Sequence, residues 1–96
     1  MIYEWDESKR LANLEKHKLD FEDAKFVYES NFRFDVHVLV DGEQRVMAFA
    51  YVFDVLSVLT LVATHRGHRV RCISYRYAHA EEREVYYDWL ANDFKK

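Results

Sequence analysis

The sequence predicts an α+β fold with a short N-terminal strand, two helices, an antiparallel β-meander and a C-terminal helix. Two observations predict it. Apolar residues recur at helical spacing before residue 29 and after residue 79, whereas between residues 34 and 74 they alternate or form one unbroken run. Half of the 96 residues are hydrophobic, which suits one core. We therefore expect a single domain over residues 1–96, with helices layered on a sheet that has one face open.

The N-terminal third is expected to form the short strand and the two helices. Residues 2–5 are a strand candidate, and Asp6 offers its side-chain oxygen as the N-cap of a first helix that runs to about His17. Asp20 is placed to cap a second helix. The apolar positions of this second helix share one face, and they are Phe21, Ala24, Val27 and Tyr28. We expect this face to pack on the sheet.

The middle of the chain carries a strand pattern. Residues 34–40 alternate between apolar and polar side chains, and Asp41-Gly42 is a typical turn. Residues 56–63 form a nearly unbroken apolar run, which predicts a central strand that is buried on both faces. A turn at residues 66–68 leads into a last strand over residues 69–74. Strands that follow one another through tight turns are antiparallel.

The C-terminal helix is predicted to begin near His79. Glu82 stands three residues later, in the position of the acid in a capping box. The helix should bury one apolar stripe against the sheet, made of Val85, Tyr86, Trp89, Leu90 and Phe94.

Charge is distributed unevenly along the chain. The protein has 14 basic and 17 acidic side chains, but residues 55–80 contain no Asp or Glu and include Arg66, Arg69, Arg71 and Arg76. This segment has a formal charge of +4 and the rest of the chain −7, which together give the net −3. Such a cationic patch acts at short range, because the surrounding negative charge weakens long-range attraction to nucleic acid.

The sequence also indicates the compartment. Cys72 is the sole cysteine, so an internal disulfide is impossible. No apolar run approaches the roughly 18 residues that span a membrane, and the N-terminus lacks the pattern of a signal peptide. We expect a cytoplasmic protein without a membrane partner.

Five segments stand in a fixed order along the chain. They are Trp5-Asp6-x-x-Lys9, Asn13-x-x-Lys16-His17, Phe21-Glu22-x-Ala24, Gly42-Glu43-x-Arg45, and Arg71-x-Ile73-Ser74-x-Arg76-x-Ala78-x-x-x-Glu82-Arg83-x-x-Tyr86. With these residues the sequence resembles the BrnT family of bacterial toxins. The likeness covers nearly the whole chain, and its last segment is the most specific.

The resemblance implies a RelE-like fold and an endoribonuclease that cleaves RNA without a metal and inhibits translation and growth. It also implies neutralisation by a cognate BrnA-like antitoxin that carries a DNA-binding domain. The antitoxin would repress their shared operon and form a heterotetramer with the toxin, so that the toxin contacts operator DNA only through the antitoxin.

One departure from the family pattern has a structural consequence. Lys18 stands where the family usually has Gly after Lys-His. A helix that ends here in the left-handed conformation would be about 1 kcal/mol less stable than with Gly.

Metal-free RNA cleavage needs a base, an acid, and donors that hold the charge growing on the phosphate. Arginine suits the third task because its planar fork binds phosphate oxygens in pairs. The arginines expected to converge on one site are Arg45, Arg66, Arg71 and Arg76. Alternatively they form a solvated basic edge, or ion pairs with Glu43 and Glu82.

Two further residues are candidates for the catalytic site. Glu82 either only caps the last helix or also pairs with Arg76 and aims it at the site. His65 is a candidate acid or base because an imidazole titrates near neutral pH, although a histidine in a turn is more often plain surface.

A second group is expected to bind RNA outside the reacting bond, and it comprises Lys16, His17, His68, Arg69, Tyr75 and Tyr77. Tyrosines stack on bases exposed in single-stranded RNA. Lys16 and His17 match the Lys-His pair of the family. His17 alternatively only adds favourable positive charge at the C-terminus of the first helix.

Two other interpretations concern a metal site and a non-catalytic function. A zinc site at His65, His68 and Cys72 fails because a structural site needs four ligands, so neither a metal nor a cofactor is expected. A non-catalytic binding module, or a co-repressor that acts only with its DNA-binding antitoxin, would use the same cationic face as a ribonuclease. The sequence alone does not separate these functions.

Overall fold

The computed structural model describes residues 1–93, which form five strands, three α-helices and a 3₁₀ turn. In chain order these are β1 (Ile2–Glu4), α1 (Glu7–His17), the 3₁₀ turn (Phe21–Asp23), α2 (Lys25–Tyr28), β2 (Phe34–Val40), β3 (Glu43–Val52), β4 (Ser57–Arg66), β5 (Arg69–Tyr77) and α3 (Ala80–Asp93). The predicted α+β class is confirmed. None of the helices within residues 1–93 is long and apolar enough to cross a membrane.

The strands form one mixed sheet in the order β1-β5-β4-β3-β2. The predicted antiparallel meander from β2 to β5 is confirmed. β1 adds to the edge of β5 in parallel, with Glu4 beside Arg71, and the sequence did not predict this pairing. The parallel edge strand brings an acidic side chain next to the basic strand.

The predicted caps of the N-terminal helices are present, but the second helix is shorter than predicted. The carboxylate of Asp6 accepts hydrogen bonds from the backbone N–H groups of Ser8 and Lys9, which confirms it as the N-cap of α1. Lys18 ends α1 in the left-handed conformation, with φ 61°, as expected for the position where glycine is usual. The second helix is shorter than predicted, because the side chain of Asp20 caps only the 3₁₀ turn and α2 has four residues.

The sheet has two unlike faces. One face, here called the helical face, is covered by the segment from Leu19 to α2, and its core includes Phe21, Ala24 and Val27 together with sheet residues. The predicted packing of the second helix on the sheet is therefore confirmed. Full burial of a side chain as large as Phe21 stabilises the fold by about 1.5–3 kcal/mol.

α3 covers only part of the other face, here called the open face. Buried Tyr86 packs with Phe49 and Val58, and partly buried Trp89 and Leu90 join this second core. The predicted burial of Val85 is wrong, since this side chain is exposed. α3 packs on the sheet through Tyr86, Trp89 and Leu90 instead. The prediction for Phe94 lies outside the described residues.

β5 contains a one-residue bulge. Val62 of β4 pairs with Ser74 and the next residue, Ala63, pairs with Cys72, which leaves Ile73 without a partner in β4. Beyond β1, the edge of β5 is covered by Asn13 of α1. The buried Asn13 amide donates to the carbonyls of Leu19 (2.9 Å) and Tyr75 (2.8 Å) and accepts from the N–H of Tyr75 (3.1 Å).

Asn13→Ala should lower the free energy of unfolding by about 2–3 kcal/mol. The change leaves three buried backbone groups without their partner, and each such group carries a desolvation cost. Urea denaturation of the purified protein measures the effect, and Asn31→Ala, at an exposed position, is the control. Equal stability of the two variants would mean that water replaces the Asn13 amide.

Candidate functional site

Four arginines lie at the end of the sheet where β4 turns into β5, and we call them the arginine cluster: Arg45, Arg66, Arg69 and Arg71. In the register of the sheet, Thr64 pairs with Arg71 and Arg66 pairs with Arg69. Val46, the residue after Arg45, pairs with Ala63. The sheet therefore brings these arginines from three strands to one place.

All four arginines of the cluster project from the open face. Their neighbours Val46, Val70 and Cys72 are buried in the core of the helical face. Since successive side chains of a strand alternate between faces, the adjacent arginines point the other way. Arg45 and Arg71 are separated by β4 alone, so their Cα atoms lie roughly 10 Å apart, two interstrand spacings. A phosphate group between them can meet both guanidinium groups.

Two carboxylates accompany the arginine cluster. An oxygen of Glu43 lies 3.0 Å from Nε of Arg45. Glu4, on β1, has its oxygens 3.5 Å from Nη1 of Arg69 and 4.0 Å from Nη1 of Arg71. The contacts of Glu4 are long for ion pairs, so Arg69 and Arg71 keep donors available for another anion. The side chain of Arg69 is 60% exposed.

Arg76 lies apart from this cluster, in a network centred on Glu82. Nη1 and Nη2 of Arg76 donate to the two oxygens of Glu82 at 2.8 and 3.0 Å. Thr60 Oγ1 and the backbone N–H of His79 also donate to Glu82, at 3.1 and 2.8 Å. The side chains of Arg76 and Glu82 are only 15% and 12% exposed. We call these four residues the Glu82 network.

Glu82 makes both of the predicted contacts, the helix cap and the ion pair with Arg76. Its bond from the His79 N–H is the half of a capping box that the sequence predicted, and its bidentate pair with Arg76 ties α3 to β5. Burial alone would raise the pKa of Glu82, but the hydrogen bonds from Arg76, His79 and Thr60 outweigh burial and lower the pKa to about 2. The carboxylate is ionised at neutral pH.

The ion pairs anticipated for two of the predicted catalytic arginines are present. Arg45 pairs with Glu43 and Arg76 with Glu82. The consequences differ, because Arg45 makes one contact to a partly exposed partner. In Arg76 both Nη atoms donate to Glu82, and the side chain is largely buried. Arg76 is therefore less accessible to a phosphate than Arg69, and its pair with Glu82 links β5 to α3.

His65 does not join the arginines. It pairs in register with the buried residue Val70 and contacts Tyr28 of α2, so it lies on the helical face. The Tyr28 hydroxyl and Nε2 of His65 are hydrogen-bonded. The sheet thus stands between His65 and the arginine cluster, and the predicted pairing of this histidine with the arginines in one catalytic site does not fit the structure.

Of the two tyrosines predicted to stack on bases, one is buried and one is exposed. Tyr75 is 1% exposed, and its hydroxyl donates to the carbonyl of Asp23 at 3.2 Å. Stacking of RNA on Tyr75 is therefore excluded, because its ring belongs to the core of the helical face. Tyr77, at the end of β5, is exposed, and so is His68 in the β4–β5 turn. These two residues remain accessible to RNA.

Lys16 and His17 lie at the end of α1, beside the β5 bulge. Together with Lys9, Asn13 and Ile73 they line a groove of about 230 Å³. Burial lowers the pKa of His17, and the nearby charges of Lys16 and Arg76 lower it further. The groove lies nearer to Arg76 than to the β4–β5 turn.

Glu4 is the residue of the site that the sequence did not single out. Its place depends on the parallel pairing of β1 with β5, and a three-residue strand carries no signal for its partner.

The described residues do not offer an obvious metal site. Within residues 1–93, no group of three or more His, Cys, Asp or Glu side chains is arranged to hold a metal ion. Cys72 is buried, and burial raises the pKa of its thiol to about 11, so it is a poor nucleophile at neutral pH.

The comparison with known families agrees with the geometry. Residues 5–82 match the family described as ribonuclease toxin, BrnT, of type II toxin-antitoxin system. The chain belongs to the BrnT family. This match begins just after β1 and includes the whole arginine cluster and the Glu82 network. Both groups of residues therefore belong to a ribonuclease toxin of a type II toxin-antitoxin system. A comparison with curated protein sequences finds no significant match.

Proposed function

We propose that this BrnT protein cleaves RNA without a metal and that the arginine cluster binds the phosphate at the scissile bond. The observation that supports the proposal is the convergence of four arginines on the uncovered end of the open face, within an otherwise acidic protein. An RNA strand can reach that end without displacing a helix. Arginine forks supply the charge and the paired donors that a transferring phosphoryl group requires.

The reaction that fits this site is an internal transphosphorylation. A 2′-oxygen attacks the adjacent phosphorus while its proton passes to a carboxylate of the cluster, Glu4 or Glu43. The bond from phosphorus to the 5′-oxygen breaks, and the departing oxygen takes a proton from water. The hydroxide left behind takes the proton from the glutamic acid, which restores the carboxylate. The products are a 2′,3′-cyclic phosphate and a free 5′-hydroxyl. Arg45 and Arg71 hold the extra negative charge on the phosphate oxygens in the transition state.

The other parts of the proposal concern the protein's setting. RNA is the substrate, the chain has a RelE-like fold and acts in the cytoplasm, and cleavage inhibits translation and growth. The antitoxin is BrnA-like, carries a DNA-binding domain and forms a heterotetramer with the toxin, so operator DNA is met only through the antitoxin. Tyr77, His68, Arg69, Lys16 and His17 extend the RNA contacts beyond the scissile phosphate, since all lie on accessible parts of the surface.

Incubation of the purified, antitoxin-free protein with a synthetic RNA in EDTA tests the reaction. We expect fragments that end in 2′,3′-cyclic phosphate, identified by mass spectrometry. The matched substrate is the same RNA with 2′-deoxynucleotides, which lacks the nucleophile and should remain intact. Cleavage that starts only after Mg²⁺ is added would contradict the metal-free mechanism. Intact RNA under all conditions would favour a non-catalytic co-repressor.

A further inference from the structure

An aromatic cleft lies at the opposite end of the sheet from the arginine cluster. It has a volume of about 460 Å³ and is lined by Phe32, Tyr51, Phe53, Tyr86, Tyr87 and Leu90. A second cleft, of about 490 Å³, shares Phe32, Tyr51 and Phe53 with the first and extends it toward α2. Arg45 and Tyr51 are six residues apart on β3, so the cleft is roughly 20 Å from the arginine cluster.

Large apolar side chains of this cleft are exposed to solvent. Phe53 is 78% exposed and Tyr87 is 46% exposed. Both are held by ring contacts, Phe53 against Tyr51 at 5.0 Å between centroids and Tyr87 against Tyr86 at 5.6 Å. The rings therefore form a preformed apolar surface. Contiguous exposed apolar surface on a soluble protein typically marks a binding site, and pockets lined by tyrosine are favoured as the centres of protein interfaces.

The charges around the aromatic cleft decide between kinds of occupant. Acidic side chains predominate on this rim and on the adjoining surface of α3: Glu29, Asp54, Glu84 and Asp88, against Lys25 and Arg83. Phosphates of RNA would be repelled here. A second copy of this chain would bring the same excess of acids to the rim, which disfavours self-association through the cleft. A basic protein segment with apolar side chains fits both the floor and the rim.

We propose that the aromatic cleft anchors the antitoxin. The occupant is an amphipathic helix of the antitoxin that places aliphatic or aromatic side chains on Phe53, Tyr51 and Tyr87, with lysines or arginines facing Asp54 and Asp88. The proposal rests on membership of a type II toxin family, which implies a protein antitoxin, and not on the catalytic mechanism. The anchor leaves the arginine cluster for another part of the antitoxin to cover.

The affinity of the purified protein for its cognate antitoxin, measured by isothermal titration calorimetry, tests this proposal. Phe53→Ala and Tyr87→Ala should each weaken binding by at least about 30-fold, the loss typical of a central aromatic contact. Leu11→Ala is the matched control, because Leu11 is 52% exposed on α1, outside the cleft, and it should bind within a factor of two of the wild type. Asp54→Lys should also weaken binding, since it reverses the rim charge.

Three outcomes would overturn the proposal. Unchanged antitoxin affinity in both aromatic variants would remove the cleft from the interface. A loss of RNA cleavage by free Phe53→Ala would assign the cleft to RNA, and a dimer that dissociates in Phe53→Ala would assign it to a second copy. Circular dichroism of each variant checks folding, which should be retained because both side chains are exposed. The catalytic proposal fails if Arg71→Ala cleaves RNA at the wild-type rate. That result would leave the predicted effects on antitoxin binding unchanged.

Discussion

Arg71→Ala should reduce RNA cleavage by a factor of about 100 or more. Removal of one preorganised donor to a developing oxyanion typically has an effect of this size. Arg71 stands at the centre of the arginine cluster, between Thr64 and Glu4, and its nearest carboxylate oxygen is 4.0 Å away. Its fork is therefore free to bind phosphate. The initial rate of cleavage of a synthetic RNA in EDTA is the measurement.

A further variant separates the effect of charge from that of donor geometry at the same position. Arg71→Lys keeps the positive charge but loses the paired donors, so its rate should fall between those of the wild type and Arg71→Ala. Melting temperatures of all variants should stay within a few degrees, because this side chain lies on the open face outside both cores. A wild-type cleavage rate in Arg71→Ala would show that the phosphate binds elsewhere.

Glu82→Ala should lower the free energy of unfolding by about 3 kcal/mol or more. The change removes the hydrogen-bond acceptor of Arg76, Thr60 and the His79 N–H at once and leaves the largely buried guanidinium unpaired, which is costly. Glu82→Gln keeps an oxygen for the cap but loses the charge, so we expect an intermediate loss. Urea denaturation at pH 7 measures both variants.

The pH dependence gives a second measure of the same contact. The pKa of Glu82 is lowered to about 2 in the folded protein, below its ordinary value near 4.5. Its contribution is therefore fully present above about pH 4.5 and is lost as pH falls toward 2. The stability difference between wild type and Glu82→Gln should shrink by about 2 kcal/mol over that range. A constant difference from pH 7 to pH 3 would argue against an ionised Glu82 as its source.

Cleavage distinguishes the Glu82 network from the arginine cluster. Rates per folded molecule should change far less in Glu82→Gln than in Arg71→Ala, because Arg76 anchors α3 and lies outside the cluster. A loss in Glu82→Gln as large as that in Arg71→Ala, in a variant that is fully folded, would return Arg76 to the catalytic site.

Local chemistry made several parts of the structure predictable. Asp6 could be recognised as an N-cap and Glu82 as a capping-box acid because these contacts join residues two or three positions apart. The meander was predictable because alternation of apolar side chains and an Asp-Gly turn depend on neighbours along the chain. The acid-free stretch likewise indicated a cationic surface before its shape was known.

Contacts between residues that are distant in sequence could not be predicted. The pairing of β1 with β5 joins residues nearly 70 positions apart and is not encoded in a local pattern. His65 and Arg66 are adjacent in sequence, yet only one belongs to the cluster, and that distinction depends on which face of β4 each side chain takes. The prediction that Tyr75 stacks on RNA was wrong for a similar reason. Tyr75 is buried by the 3₁₀ turn, which is distant in sequence, and its hydroxyl donates to the carbonyl of Asp23 there.

The bulge at Ile73 makes the two halves of β5 run out of phase. Arg71 and Arg76 are five residues apart, and in a regular strand an odd separation would place them on opposite faces. The extra residue puts both on the open face. Deletion of Ile73 would therefore drive Arg76 into the apolar layer and turn Tyr75 out to water, and α3 would lose the face on which it docks. This segment of the chain can change its side chains, but it cannot change its length by one.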